Sequence, residues 1–299
     1  MPGLEEQLIP QWELGSVDGD DMYFSTLMGI DFDDAGNLYG LDFRDQTITK
    51  IDADKGEIMG RFGAKGQGPG ELAGSRSLAW FQGKVLVANE GNGRVEVFSE
   101  DGEPLDPVRL SEVATPSYVF AHGDHLMVGR RFVPDGHFVY RYGQDLQAAE
   151  PLKEAGRMAE RLDFLRSHNL QCPTADGTWI VYMLLDKIEK IDDSGNTVIS
   201  MSRELDWDFP VEEDGEVVPE ILVTRRCATD PEGNLYVIYS NPEDWKRGND
   251  VFKFAPDGRL LGKAFTLPVH RATALAFDGQ GDLYYSDGVT LFKAQVQAG

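Results

Sequence analysis

Asp33-Asp34-Ala35-Gly36-Asn37-Leu38-Tyr39 is a tight acidic turn running into a hydrophobic strand, and it returns as Asp230-Pro231-Glu232-Gly233-Asn234-Leu235-Tyr236. Looser copies stand at Gly83-Lys84-Val85-Leu86, Gly123-Asp124-His125-Leu126, Gly177-Thr178-Trp179-Ile180 and Gly281-Asp282-Leu283-Tyr284. Glycine accepts the positive φ of such turns, and aspartate bonds the backbone two residues on. Self-similarity at roughly 40 to 55 residues marks a propeller, in which each repeat is one small sheet that needs its neighbours to bury its faces.

Working outward, each glycine turn is followed after about twenty residues by a second hairpin signal. These are Asp54-Lys55-Gly56, Asp101-Gly102, Asp193-Ser194-Gly195 and Asp257-Gly258. Alternation in Ile48-Thr49-Lys50-Ile51 and Arg94-Val95-Glu96-Val97-Phe98 fits half-buried strands. A repeat therefore parses as four antiparallel strands, in the first case near 26–32, 37–42, 47–52 and 57–63. The predicted fold is an all-β, six-bladed propeller forming one domain over 1–299, with blades at 26–63, 77–110, 117–153, 169–205, 225–267 and 271–296. The last repeat lacks a fourth strand, and 11–16, around Trp12 and Leu14, is predicted to supply it and close the ring.

The formal charge is −23, from 51 acidic against 28 basic residues, a field that repels phosphate backbones and anionic membranes and argues against nucleic-acid binding. No apolar run approaches the ~20 residues of a transmembrane helix. The excess charge reads as a solvated outer surface, and a monomer is expected. Cys172 and Cys227 are the only cysteines, too few for a disulfide framework, and both are expected as buried small hydrophobes. Met1-Pro2-Gly3 runs into polar sequence without a secretory signal. The protein is then cytoplasmic, or periplasmic or extracellular if an export segment once preceded it.

Val87-Ala88-Asn89-Glu90-Gly91-Asn92-Gly93-Arg94-Val95-Glu96-Val97-Phe98, followed by Asp101-Gly102, resembles an NHL repeat. So does Phe62-Gly63-Ala64-Lys65-Gly66-Gln67-Gly68-Pro69-Gly70-Glu71-Leu72 leading into it. The first and fifth repeats fit loosely and the others depart. The chain as a whole resembles the six-bladed NHL-like and TolB-like propellers of bacteria. That group holds binding modules and, more distantly, lyases and lactone hydrolases, so the resemblance implies a fold and leaves the activity open.

Because the first-to-second and third-to-fourth strand turns share one rim, the remaining connections share the other, and every long loop falls there. These loops lie near 64–75, 153–168, 206–224 and 241–249. Loops on a rigid scaffold carry function more often than the scaffold does, so this rim is called the top. Residues entering the inner strands from the top are Ser25, Arg76, Tyr118, His168 with Asn169, Arg225 with Arg226, and His270 with Arg271. Arg76, Tyr118, His168, Arg225, Arg226, His270 and Arg271 are therefore the candidate ligand-binding residues of an anion-favouring mouth, since arginine holds carboxylate or phosphate in bidentate fashion. The competing expectation is that the basic groups pair with Asp42, Asp186 and Asp287 at the ends of second strands.

Resemblance to the peptide-amidating lyases of this fold implies a zinc held by three channel histidines, but only His168 and His270 sit at matching positions. Resemblance to lactonase-like propellers implies calcium held by carboxylate and amide groups, for which Asp42, Asn89, Asn241 and Asp287 are placed. His122 and His125 flank a tight hairpin and make a weak motif. No nucleophile elbow, phosphate loop or paired-cysteine metal site is present. Two top loops carry further expectations: an amphipathic helix through Met158, Leu162 and Leu165, and an acidic loop around Trp207 and Phe209. Three functions stay open: a noncatalytic propeller binding a small anion or an acidic peptide or sugar, a zinc- or calcium-assisted lyase or lactone hydrolase, and a protein-interaction scaffold.

Overall fold

Six four-stranded antiparallel sheets follow one another along the chain in a computed structural model. It describes residues 6–16, 23–110, 115–131, 137–146, 149–154, 168–202, 212–213, 216–217, 224–240 and 249–298. The inner strands are Leu27–Phe32, Leu78–Phe81, Tyr118–His122, Asn169–Thr174, Thr224–Thr229 and Ala274–Phe277. Each is the innermost member of a blade whose further strands pair in chain order, except that the outermost strand of blade 6 comes from the start of the chain.

The second strands explain why the propeller signal is hydrophobic rather than alternating. Leu235–Tyr239 is buried throughout, yet its odd and even residues serve different junctions. Leu235, Val237 and Tyr239 pack toward blade 4, whereas Tyr236 and Ile238 pack toward blade 6. A strand covered on both faces needs apolar residues at every position. The core is accordingly six clusters, one between each pair of neighbouring blades.

The ring closes through Glu6–Leu14, which pairs antiparallel with Leu291–Ala298 and starts earlier than the sequence pattern indicates. This strand also ties blade 6 to both neighbours. Trp12 Nε1 donates to the Ala53 carbonyl at 3.0 Å, and Glu6 meets Lys253 Nζ at 2.8 Å.

The acidic turns build the lower rim. Asp33 Oδ1 accepts the Ala35 and Asn37 amides, Asp33 Oδ2 faces the Tyr39 hydroxyl at 3.4 Å, and Lys50 lies over the Tyr39 ring at 5.3 Å. Blades 5 and 6 repeat the set with Asp230, Tyr236 and Lys253, and with Asp278, Tyr284 and Lys293. His122 Nε2 lies 2.7 Å from Asp193 of blade 4, a contact between rim turns.

The two cysteines correct the expectation drawn from the sequence. Cys172 and Cys227 form a disulfide joining the inner strands of blades 4 and 5. Each is the fourth residue of its strand, so a separation of 55 residues sets the pair side by side.

Asn89, Arg94 and Glu96 form a buried polar brace. Arg94 pairs with Glu96 and donates to the Gln67 and Gly68 carbonyls, while Glu96 accepts the Gly70 amide. Asn89 accepts the Ala73 amide and donates to the Glu71 carbonyl. The motif thus pins the loop between blades 1 and 2.

Candidate functional site

The central channel is lined by the inner strands, and side chains bridge them at every junction. Asp31 Oδ2 accepts the Trp80 amide at 2.8 Å, and Ser77 Oγ exchanges bonds with Val119. Tyr118 Oη donates to the Asn169 carbonyl at 2.7 Å, and Thr229 donates to the Pro173 carbonyl. Arg226 Nε donates to the Thr273 carbonyl, and Thr273 Oγ1 donates to the Leu27 carbonyl. These bonds satisfy channel-facing main chain that the blades themselves leave unpaired.

The top mouth is a cavity of about 620 Å³ whose wall includes Arg44, Lys65, Arg76, Arg226 and Arg271. Among the described residues its one acid is Asp287, whose Oδ1 already accepts the Val289 and Thr290 amides. Asp42 is likewise spent on backbone, accepting the amides of Ser25, Thr26, Arg44 and Asp45. Asp186 accepts from Ser202 Oγ at 3.1 Å. Neither Asp42 nor Asp287 pairs with a mouth arginine, because each carboxylate closes its own turn.

Arg76 stacks on Phe43 at 3.9 Å and has Glu90 as a distant partner at 4.0 Å. Burial lowers its pKa and the Arg131 charge lowers it further, against the pull of Glu90. Arg226 donates through Nη1 to the Arg225 carbonyl and, among the described residues, meets no carboxylate. Its pKa falls to about 10, chiefly by burial, with Arg271, Arg76 and Arg225 adding repulsion and Tyr118 opposing. Burial pushes the Tyr118 hydroxyl up to about 12. Arg76 and Arg226 both stay charged at neutral pH.

Below the mouth lies a waist of about 170 Å³ that Arg76, Tyr118, Arg131 and Arg226 line together with Met28, Leu78, Leu170 and the disulfide. The structure therefore gathers Arg76, Tyr118, Arg226 and Arg271 around one passage. His168, Arg225 and His270 line neither cavity. A register irregularity between Thr224 and Arg226 turns Arg225 into the blade, where Nε donates to Ser240 Oγ at 3.0 Å. His270 is exposed ahead of its inner strand. Arg44, Lys65 and Arg131 escape a reading by inner strands because they follow second or outer strands.

Among the described residues no three His, Cys, Asp or Glu side chains converge as a metal site requires. The expected calcium set is divided: Asp42, Asn89 and Asp287 hold backbone or the Arg94 brace, and Asn241 lies outside the described residues. The helix expected through Met158, Leu162 and Leu165 also lies outside them, as do Trp207 and Phe209. Of that second loop, Glu212–Glu213 pairs with Glu216–Val217.

No family model matches the chain, and no curated protein resembles it in sequence. Solved structures do resemble it in fold. A DUF4221 family member from Bacteroides vulgatus superposes with a TM-score of 0.66 at 13% identity, covering 99% of this chain and 100% of that one. A gluconolactonase from Xanthomonas campestris gives 0.63 at 13% identity, covering 99% of each chain. Virginiamycin B lyase from Staphylococcus aureus gives 0.59 at 13% identity, covering 95% of this chain and 82% of that one. The fold defines a six-bladed β-propeller. At such identities the likeness extends to architecture and not to activity.

Proposed function

We propose that this propeller, an NHL-like one on the brace of Asn89, Arg94 and Glu96, is a binding protein whose top mouth takes a small anion. The observation that carries this reading is charge: among the described residues, five cationic side chains meet one turn-bound carboxylate at the mouth, in a chain of formal charge −23. Arg226 is the centre of the set, because its buried guanidinium gains a charge-assisted partner when an anion enters. A ligand-binding reading is favoured over a metal-assisted lyase or lactonase, since arginines converge here and metal ligands among the described residues do not.

Thermal denaturation with phosphate, sulfate or benzoate, against chloride at matched ionic strength, tests the proposal. A ligand at 100 times its Kd stabilises by roughly 2.7 kcal/mol. The expected result is stabilisation by at least one of these anions over chloride, reduced in Arg271→Gln and Arg226→Gln. Equal curves in all four salts would overturn the proposal.

A further inference from the structure

The opposite end of the channel has different chemistry. There residues of all six inner strands enclose a chamber of about 410 Å³, within the usual range of small-molecule sites. Phe32, Trp80, Phe120 and Phe277 supply aromatic surface, and among the described lining residues Asp31 alone carries a formal charge.

The bridge that Asp31 makes to the Trp80 amide needs only a neutral acceptor. The equivalent bridges at the other junctions are made without a carboxylate, by Ser77, Tyr118, Thr229, Arg226 and Thr273. Among the described residues no Lys or Arg pairs with Asp31, so a desolvated negative charge is kept where an amide or hydroxyl would serve the fold equally well. Burial raises the Asp31 carboxyl above its ordinary range, against bonds from the Trp80 and Phe32 amides.

From the placement of this lone carboxylate inside an aromatic chamber, we infer that the lower end of the channel is a second binding site, for an organic cation. The ligand class is an ammonium on a small apolar or aromatic body. Asp31 neutralises the cation, ring faces attract it, and the apolar wall takes the body. Such a site is distinct from the anion mouth, because its charge is opposite and Arg44, Lys65 and Arg271 line the mouth but not the chamber.

Titration calorimetry with phenethylammonium, at a salt concentration that screens the acidic outer surface, tests the inference, with 2-phenylethanol as the neutral match. The expected result is at least tenfold tighter binding of the ammonium, with a fluorescence change lost in Trp80→Phe. Asp31→Asn, which retains an acceptor for the Trp80 amide, should reduce the ammonium to the affinity of the alcohol. Arg271→Gln should leave ammonium binding unchanged even where it abolishes anion stabilisation, which separates the two sites. Equal affinity of wild-type protein for ammonium and alcohol would overturn the inference without any variant. Retained ammonium preference in Asp31→Asn would overturn it as well.

Discussion

Replacing Asp31 by Asn should stabilise the ligand-free protein, and by an amount that depends on pH. The carboxyl has an ordinary pKa of 3.8 and is pushed up to about 6 in the fold, chiefly by burial. Between these values the folded state holds a proton that the unfolded chain releases, so this group makes stability fall as pH rises through the window. At about 1.36 kcal/mol for each pH unit between the two values, the charged carboxylate costs the fold about 3 kcal/mol once the pH is well above 6. At pH 4.5 the same linkage leaves about 1 kcal/mol. Asn carries no proton and no charge while still accepting the Trp80 amide. Its advantage should therefore grow by about 2 kcal/mol between pH 4.5 and pH 7.5.

The groups around Asp31 do not mask this slope. Tyr118, the other titratable group on the chamber wall, is pushed up to about 12 and stays neutral throughout. Asp34 at the adjoining turn accepts the Trp80 indole N–H at 3.1 Å, and Asp33 is held by Asn37 and Lys50. Urea unfolding of both proteins at the two pH values, compared through their midpoints at constant slope, reads the effect. A difference that does not change with pH, or an Asn variant less stable at pH 7.5, would refute the reasoning.

Other perturbations probe the frame. Reducing the Cys172–Cys227 bond releases a loop of 55 residues, for which chain entropy gives about 4 kcal/mol; guanidinium unfolding with and without dithiothreitol should show it, and a loss under about 1 kcal/mol would count against a closed bridge. Gly195→Ala should cost far more than Gly36→Ala, as midpoints of urea unfolding will show. Gly195 has φ +81° and a Cβ there would sit 1.8 Å from the Leu152 carbonyl oxygen, whereas Gly36 at φ +85° faces open space and pays only the roughly 1–2 kcal/mol of the left-handed backbone. Deleting residues 1–14 removes the closing strand and exposes the edge of Leu291–Ala298. Size-exclusion chromatography should then show association through that edge, and a monodisperse protein with unchanged melting would contradict the closure role.

What could be read from the chain follows from which interactions are local. Asp33, Gly36, Asn37 and Tyr39 lie within seven residues and make their bonds within one hairpin and its neighbour, so the turn announces itself wherever it recurs. The strand order follows from those turns, and with it the rim on which Arg76, Tyr118, Arg226 and Arg271 enter. The direction of a side chain depends on more than the order. Alternation alone cannot show that an irregularity after Thr224 turns Arg225 toward Ser240 while Arg226 reaches Thr273. Nor does a pair of cysteines in a long chain suggest a bond until both are counted from the start of their strands. Then the shared fourth position makes Cys172 and Cys227 neighbours, because equivalent residues of adjacent inner strands face each other across a junction. The same rule exposes Asp31. It occupies the fifth position of its inner strand, where blades 3, 4 and 5 carry His122, Pro173 and Ala228. His122 bonds Asp193 of the rim and Ala228 is apolar wall, so among the described residues Asp31 is the one carboxylate on the chamber wall. A departure from the repeat, rather than the repeat itself, is where the chemistry of this ring is concentrated.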